Sequence, residues 1–282
     1  MRNGQQGFSL TELMIVMVIF LVITGTVFGL LNAAQTRYRA ELEFLESFQG
    51  ARLGMEMMVR DIHNAGYPPP YTFAGNLGTP PTPVAYPPGI WTIPNGIPGT
   101  PGVAPAILQS RFATGILGVT GAAVDPNCTV NGGATPCTIP SSWDLILELD
   151  IDPENVAAPN QVEWVRYALT RAAGAATSTL FRTVSTKVPG ANPAAALSNV
   201  PFVENVVQNP GAVVAAANPA VFTFDCDPNY IILAGPPPVC TAEHVSAVYI
   251  TLQVRSVRQD IQTRRFQQIT VQGAATRMNP SR

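Results

Sequence analysis

Gly7-Phe8-Ser9-Leu10-Thr11-Glu12 is followed by an apolar run from Leu13 to Gln35 that contains no charge and no proline. A short polar leader with one positive charge, Arg2, precedes it. A helix rises about 1.5 Å per residue, so about 20 apolar residues cross a bilayer core. The run is long enough, and it is apolar on all sides rather than along one stripe, which separates it from the core helix of a soluble domain. A cleavable secretory signal has a shorter apolar core followed by a small-residue cleavage site. Here the run passes without a break into a further helical pattern.

Glu12 is the exception inside this segment. An ionisable group in a membrane span is expensive and by default marks function. A carboxylate in hydrocarbon needs a partner, and no Lys or Arg lies within reach along the helix. If the chain is cut after Gly7, the new amino group of Phe8 lies about one helical turn away. It is placed to neutralise Glu12 in the same chain or in a neighbouring helix.

The segment Gly7-Phe8-Ser9-Leu10-Thr11-Glu12-Leu13 resembles the processing motif of type IV prepilins and type II secretion pseudopilins. In that family a membrane peptidase cleaves after the glycine and methylates the new N-terminal residue. The resemblance implies cleavage between Gly7 and Phe8, N-methylation of Phe8, and an assembly role for Glu12 opposite a neighbouring N-terminus. It implies the prepilin peptidase, the inner membrane and other pilin subunits as partners, the last through the N-terminal helix. The expected location is the bacterial inner membrane, single-pass with a periplasmic head, and then the pilus and cell surface after assembly. Arg2 on the leader side against Arg37 and Arg39 beyond the run argues weakly for the opposite orientation. The resemblance and the cysteines outweigh it.

Gly25 and Gly29 interrupt the run. Each lowers helix stability by up to about 1 kcal/mol relative to alanine. Local melting or close helix contact in a filament is the functional reading; ordinary use of small residues in membrane helices is the bland one. Many major pilins carry a proline where this chain has Gly29, and that departure argues weakly against a major-subunit role.

Beyond the membrane segment, Leu42, Leu45, Phe48, Met55, Val59 and Ile62 recur at helical spacing among charged residues. Asn64-Ala65-Gly66 and then Pro68-Pro69-Pro70 supply the stop. One helix over residues 8–66 is expected, roughly 85 Å long at 1.5 Å per residue. The segment Arg60 to Tyr67 resembles the helix end of PilW-like minor pilins.

Residues 67–142 change character, as in Pro80-Pro81-Thr82-Pro83 and Gly96-Ile97-Pro98-Gly99. There is no three-residue glycine period, so collagen is excluded. A stretch poor in backbone donors predicts an irregular insertion with little core. The alternative is a recognition loop carrying Tyr71, Tyr86 and Trp91. From Trp143 the pattern becomes β. Strands are predicted over 143–149, 162–169, 180–184, 248–254 and 266–271, with Val248, Ile250, Leu252 and Val254 facing in. The order Val-Arg-Tyr-Ala-Leu, Leu-Phe-Arg-Thr-Val, Phe-Val-Glu-Asn-Val resembles the head of PilW-like minor pilins and J-type pseudopilins. The expected fold is therefore α+β: leader 1–7, helix 8–66, irregular region 67–142 and an antiparallel β-rich head 143–282.

Four cysteines permit three pairings. The two local ones are expected, Cys128 with Cys137 and Cys226 with Cys240, each closing a short loop. Oxidised pairs imply a head outside the cytoplasm.

The search for catalytic chemistry gives no nucleophile elbow, phosphate loop or paired metal motif. The two histidines, His63 and His244, read as surface residues. Two acidic clusters, Glu148-Asp150-Asp152-Glu154 and Asp225-Asp227-Asn229, begin like calcium loops. Both lack the central glycine and the acid at the twelfth position, so solvated loop ends are expected, with no metal and no cofactor. Charged residues are 12 % of the chain and the net charge is −2. The basic group Arg255, Arg258, Arg264 and Arg265 has no aromatic platform beside it, so nucleic acid is not an expected partner. The sequence thus points to a structural, non-enzymatic minor pilin. A type II secretion pseudopilin is the near alternative, and a tip-displayed adhesin is the alternative of another class.

Overall fold

The computed structural model describes residues 9–67, 113–151, 162–187, 192–195, 201–260 and 263–278. The leader 1–7, Phe8 and the bulk of the Pro/Gly-rich region lie outside the described residues. The chain divides into two compact units. One holds the N-terminal chain up to Glu46 together with Ser256–Gln267; the other holds Ser47–Arg255 and the chain from Gln268 onward.

Helix α1 runs unbroken from Leu10 to Asn64, 55 residues. Its start has a local cause. Ser9 precedes the first turn and Glu12 sits three residues later, the spacing of a reciprocal cap, and the Ser9 N–H donates to Glu12 Oε2 at 3.0 Å. Its end also follows from sequence. Gly66 adopts φ +89°, a left-handed conformation that glycine takes without strain, and its N–H donates to the Glu148 carbonyl at 2.9 Å.

In the first unit, α1 leaves its apolar residues uncovered on every side. Leu13, Val16, Phe20, Leu21 and Phe28 are all more than half exposed. In the second unit, Ala51, Gly54, Met55, Met58, Asp61 and Ile62 form a buried stripe. The expected stripe is thus present, but it begins at Ala51. Leu42 and Leu45, expected on the packed face, remain exposed.

The head is an antiparallel sheet built from β4 (Asp144–Leu149), β5 (Glu163–Thr170), β6 (Ser178–Thr186), β7 (Pro201–Val206), β8 (Phe222–Cys226), β10 (Val245–Gln259) and β11 (Phe266–Thr276). The order is β11-β10-β7-β6-β5-β4, with β8 also on β10. β8 pairs with the first part of β10, Val245 to Ile250, and β7 meets it further on, Val206 opposite Val254. The α+β class is therefore as expected, and each predicted strand has its counterpart. β7 and β8 were not predicted as strands, although β7 carries the Phe202–Val206 segment of the resemblance.

Alternation places Leu145, Leu147, Val165, Tyr167, Leu180, Val203, Ile250 and Leu252 in one core with Met55, Met58 and Ile62 of α1. The opposite face of β4 is covered too. Leu117, Val119 and Ile139 pack there on Ile146 and Trp164. They come from a stretch that holds β1 (Val119–Thr120), β2 (Ala123–Val124) and β3 (Thr129–Val130). The expectation of little core before residue 143 therefore fails for residues 113–142: Leu117 N–H donates to Ile146 O at 3.0 Å, and Glu148 N–H to Gly115 O at 2.7 Å. These bonds lay a backbone segment along β4 and shield that edge.

Candidate functional site

The N-terminal end of α1 is the first candidate site. Ser9 Oγ lies 2.7 Å from Thr11 Oγ1, and Leu13 N–H donates to Ser9 O at 3.2 Å. Glu12 is exposed, and its carboxylate turns back on the positively polarised start of its own helix. The sequence reading sought a partner for Glu12 in an amine and missed this one, although Ser-x-x-Glu is itself the signal. The proposed cleavage residues Gly7 and Phe8 lie outside the described residues. Further along, Thr26 Oγ1 donates to Ile23 O at 2.7 Å and Thr36 Oγ1 to Asn32 O at 2.8 Å. These hydroxyls are satisfied by their own helix, which suits a segment surrounded by hydrocarbon. Among the described residues, and apart from the adjoining helix backbone, nothing comes within 4 Å of a Cβ built on Gly25 or Gly29, so their packing does not require glycine there.

The second site fixes α1 to the sheet. Asp61, one turn before the helix ends, accepts from Tyr167 Oη at 2.6 Å and from Arg182 Nη2 at 2.8 Å and Nε at 3.1 Å. Tyr167 and Arg182 stand directly opposite each other on β5 and β6. The Arg182 guanidinium also lies 5.9 Å from the Tyr167 ring centre, within cation–π range. Burial and then the Asp61 charge push the Tyr167 phenol well above its ordinary value, so it stays a donor. No short-range pattern links these residues, and the sequence reading did not find them.

Glu148 is the third. It accepts from Thr114 N–H at 2.9 Å and Oγ1 at 2.6 Å, from Trp164 Nε1 at 2.8 Å and from Lys187 Nζ at 3.1 Å. Burial alone would raise its pKa; the Lys187 charge and these donors override that and hold it below the ordinary carboxylate range. This corrects the expectation of a solvated loop end: Glu148 is 1 % exposed. In the other acidic cluster, Asp227 Oδ1 accepts from Asn229 N–H at 2.9 Å and caps a short helical turn, Pro228–Tyr230. Among the described residues, no group of three or more His, Cys, Asp or Glu is placed to hold a metal.

The cysteines form Cys128–Cys137 and Cys226–Cys240. β3 pairs with β9 (Cys240–Thr241), Val130 opposite Cys240, which ties the two disulfide-closed loops to each other. His244 lies beside them and is not the surface residue expected. Its ring stacks on Tyr230 at 4.0 Å, and its Nδ1 is 2.6 Å from Thr241 Oγ1. Burial lowers its pKa, and burial raises that of neighbouring Glu243 to about 7.

Residues 2–28 match the family model of the prokaryotic N-terminal methylation motif. No curated protein and no solved structure matches the chain. The methylation motif and the exposed apolar helix that carries it fit membrane anchoring, and they support a type IV pilin-like protein.

Proposed function

We propose that this protein is a minor pilin, a non-enzymatic subunit that takes part in assembling or initiating a type IV pilus at the inner membrane and stands at the filament tip. The observation that carries this reading is the methylation motif over residues 2–28, continuous with a 55-residue helix whose N-terminal part has no apolar cover of its own. Exposed apolar side chains in that number need lipid or other helices around them. In this reading the prepilin peptidase cleaves between Gly7 and Phe8 and Phe8 is N-methylated. The new amine competes with the Ser9 N–H for Glu12, and a neighbouring subunit's amine takes over that carboxylate in the filament. The β-rich head with its two disulfides suits a periplasmic and then surface location. The PilW-like segments support a minor rather than a major role.

Intact mass of the membrane-extracted chain is the test. Loss of residues 1–7 with one added methyl is expected, and Gly7→Ala should abolish both. Glu12→Ala should be processed normally yet fail to enter filaments. An uncut wild-type chain would overturn the reading. Detection along whole filaments at one copy per repeat would overturn the minor role.

A second reading, a tip-displayed binding module, is supported by the loop inside Cys226–Cys240, where Ile232 and Leu233 are 61 % and 60 % exposed. It predicts that Ile232→Ser/Leu233→Ser leaves piliation intact and abolishes attachment.

A further inference from the structure

Arg37 is the first charge beyond the apolar run, two residues past Gln35 and so about 3 Å further along the helix. Within the first unit this part of α1 meets the adjoining ends of β10 and β11, where Arg258 Nε lies 3.3 Å from Glu43 Oε1. A cavity of about 130 Å³ opens between them, lined by Arg37 and Glu41 from the helix and by Arg258, Asp260 and Gln267 from the strand ends. Two guanidiniums and two carboxylates thus line one small space, beside the first charge past the apolar run.

We propose that this cavity seats the head group of a zwitterionic phospholipid bearing a primary ammonium, its phosphate toward Arg37 and Arg258 and its ammonium toward Glu41 and Asp260. The charge pattern selects the class. Arginine's planar donor fork matches phosphate oxygens, which accounts for the basic half of the lining. An anionic glycerol head group offers the two carboxylates hydroxyl donors but no positive charge. A choline head group carries the positive charge but has no N–H to give them, whereas an ethanolamine ammonium has three. The cavity has room for a polar head group and none for an acyl chain, which would remain along the apolar surface of α1 below. Long arginine side chains at a helix exit reach the interfacial layer in this way. The bland alternative is that Arg37 and Glu41 simply pair with each other at i, i+4, which predicts no lipid preference.

The proposal rests on membrane anchoring, so the test separates the two. Full-length chain is first bound to vesicles of phosphatidylcholine alone; sedimentation with them, in wild type and variants, establishes anchoring independently of head group. Delipidated chain in detergent is then offered equal amounts of phosphatidylethanolamine, phosphatidylcholine and phosphatidylglycerol with identical acyl chains, and bound lipid is counted by native mass spectrometry. Wild type should retain the ethanolamine lipid about tenfold over the choline lipid, on the order of one charge-assisted hydrogen bond. Glu41→Gln should erase that preference, and Arg37→Gln should weaken retention of both. Both substitutions lie on the exposed surface of α1 and should leave the circular dichroism melt unchanged. Equal retention of the three lipids by wild type overturns the proposal, as does strongest retention of the glycerol lipid. A preference that survives Glu41→Gln also overturns it.

Discussion

Asp61 accepts from Tyr167 and from two nitrogens of Arg182 while only 3 % of it meets solvent. Removing one member of such a group leaves the others buried without their counter-charge, which costs far more than an exposed pair is worth. Asp61→Ala should destabilise the head by about 3 kcal/mol, at the low end for a buried pair because Arg182 retains partial access to water. Asp61→Asn keeps an acceptor for the Tyr167 hydroxyl and loses the charge, so about half that cost is expected. Arg52 and Glu56 provide the comparison on the same helix. Their side chains are 69 % and 65 % exposed at 3.3 Å, and Arg52→Ala should cost under about 0.5 kcal/mol. Urea midpoints of the three variants, taken side by side on the full chain, check the ranking. Equal midpoints for Asp61→Ala and Arg52→Ala would refute the latch. None of this was visible in the sequence, because Asp61 stands 106 positions from Tyr167 and 121 from Arg182. The opposite holds for Ser9 and Glu12, three positions apart and bonded as that spacing implies.

At the scale of elements, close approach of helix and sheet sets what α1 can carry. A Cβ added at Gly54 would lie 2.6 Å from Val203 Cγ2 and 3.4 Å from the Phe202 ring. Val203 is β-branched and fixed within β7, so it has no easy way to yield. In an open helix Gly→Ala gains about 1 kcal/mol; here the overpacking outweighs it, and Gly54→Ala should lower stability by about 1–2 kcal/mol. Gly50→Ala, with nothing among the described residues beyond its own helix turn within 4 Å of the added Cβ, should raise it. Thermal midpoints moving in opposite directions would support the argument, and a rise in both would sink it. Legibility follows similar physics. β10 announces itself by alternation of Val248, Ile250, Leu252 and Val254, and β5 by an eight-residue run rich in aromatic and aliphatic side chains. β8 alternates as well, with Phe222, Phe224 and Cys226 buried between Thr223 and Asp225, but over only five residues, and it was missed. β1, β2 and β3 are two residues each, too short for any period to register. Leu117, Val119 and Ile139 are isolated apolar side chains, so the second layer over β4 could be recognised only from the sheet it covers.

At the scale of the whole molecule, two kinds of cohesion are at work. The N-terminal helix relies on what surrounds it, whereas the head closes its own core and adds two covalent links. Those links are not independent. The pairing of β3 with β9 sets Thr129 opposite Thr241 and Val130 opposite Cys240, so each disulfide is tied to one strand of the same two-residue ladder. Asn131 Nδ2 reinforces the join by donating to Phe224 O at 3.1 Å and Pro238 O at 2.8 Å. By loop-closure entropy alone, sequence separations of 9 and 14 give about 3 kcal/mol each. Because a ladder this short depends on both anchors, losing either disulfide should loosen the segment that gives the other its value. Cys128→Ser/Cys137→Ser and Cys226→Ser/Cys240→Ser should each cost about 2–3 kcal/mol. The quadruple variant should cost less than their sum by about 1 kcal/mol, a coupling of the size expected between contacting sites. A double-mutant cycle of denaturant midpoints measures it directly. Simple additivity would mean that β3 and β9 stay joined through Asn131 and the surrounding core when the sulfurs are gone, and that the two loops are stabilised separately.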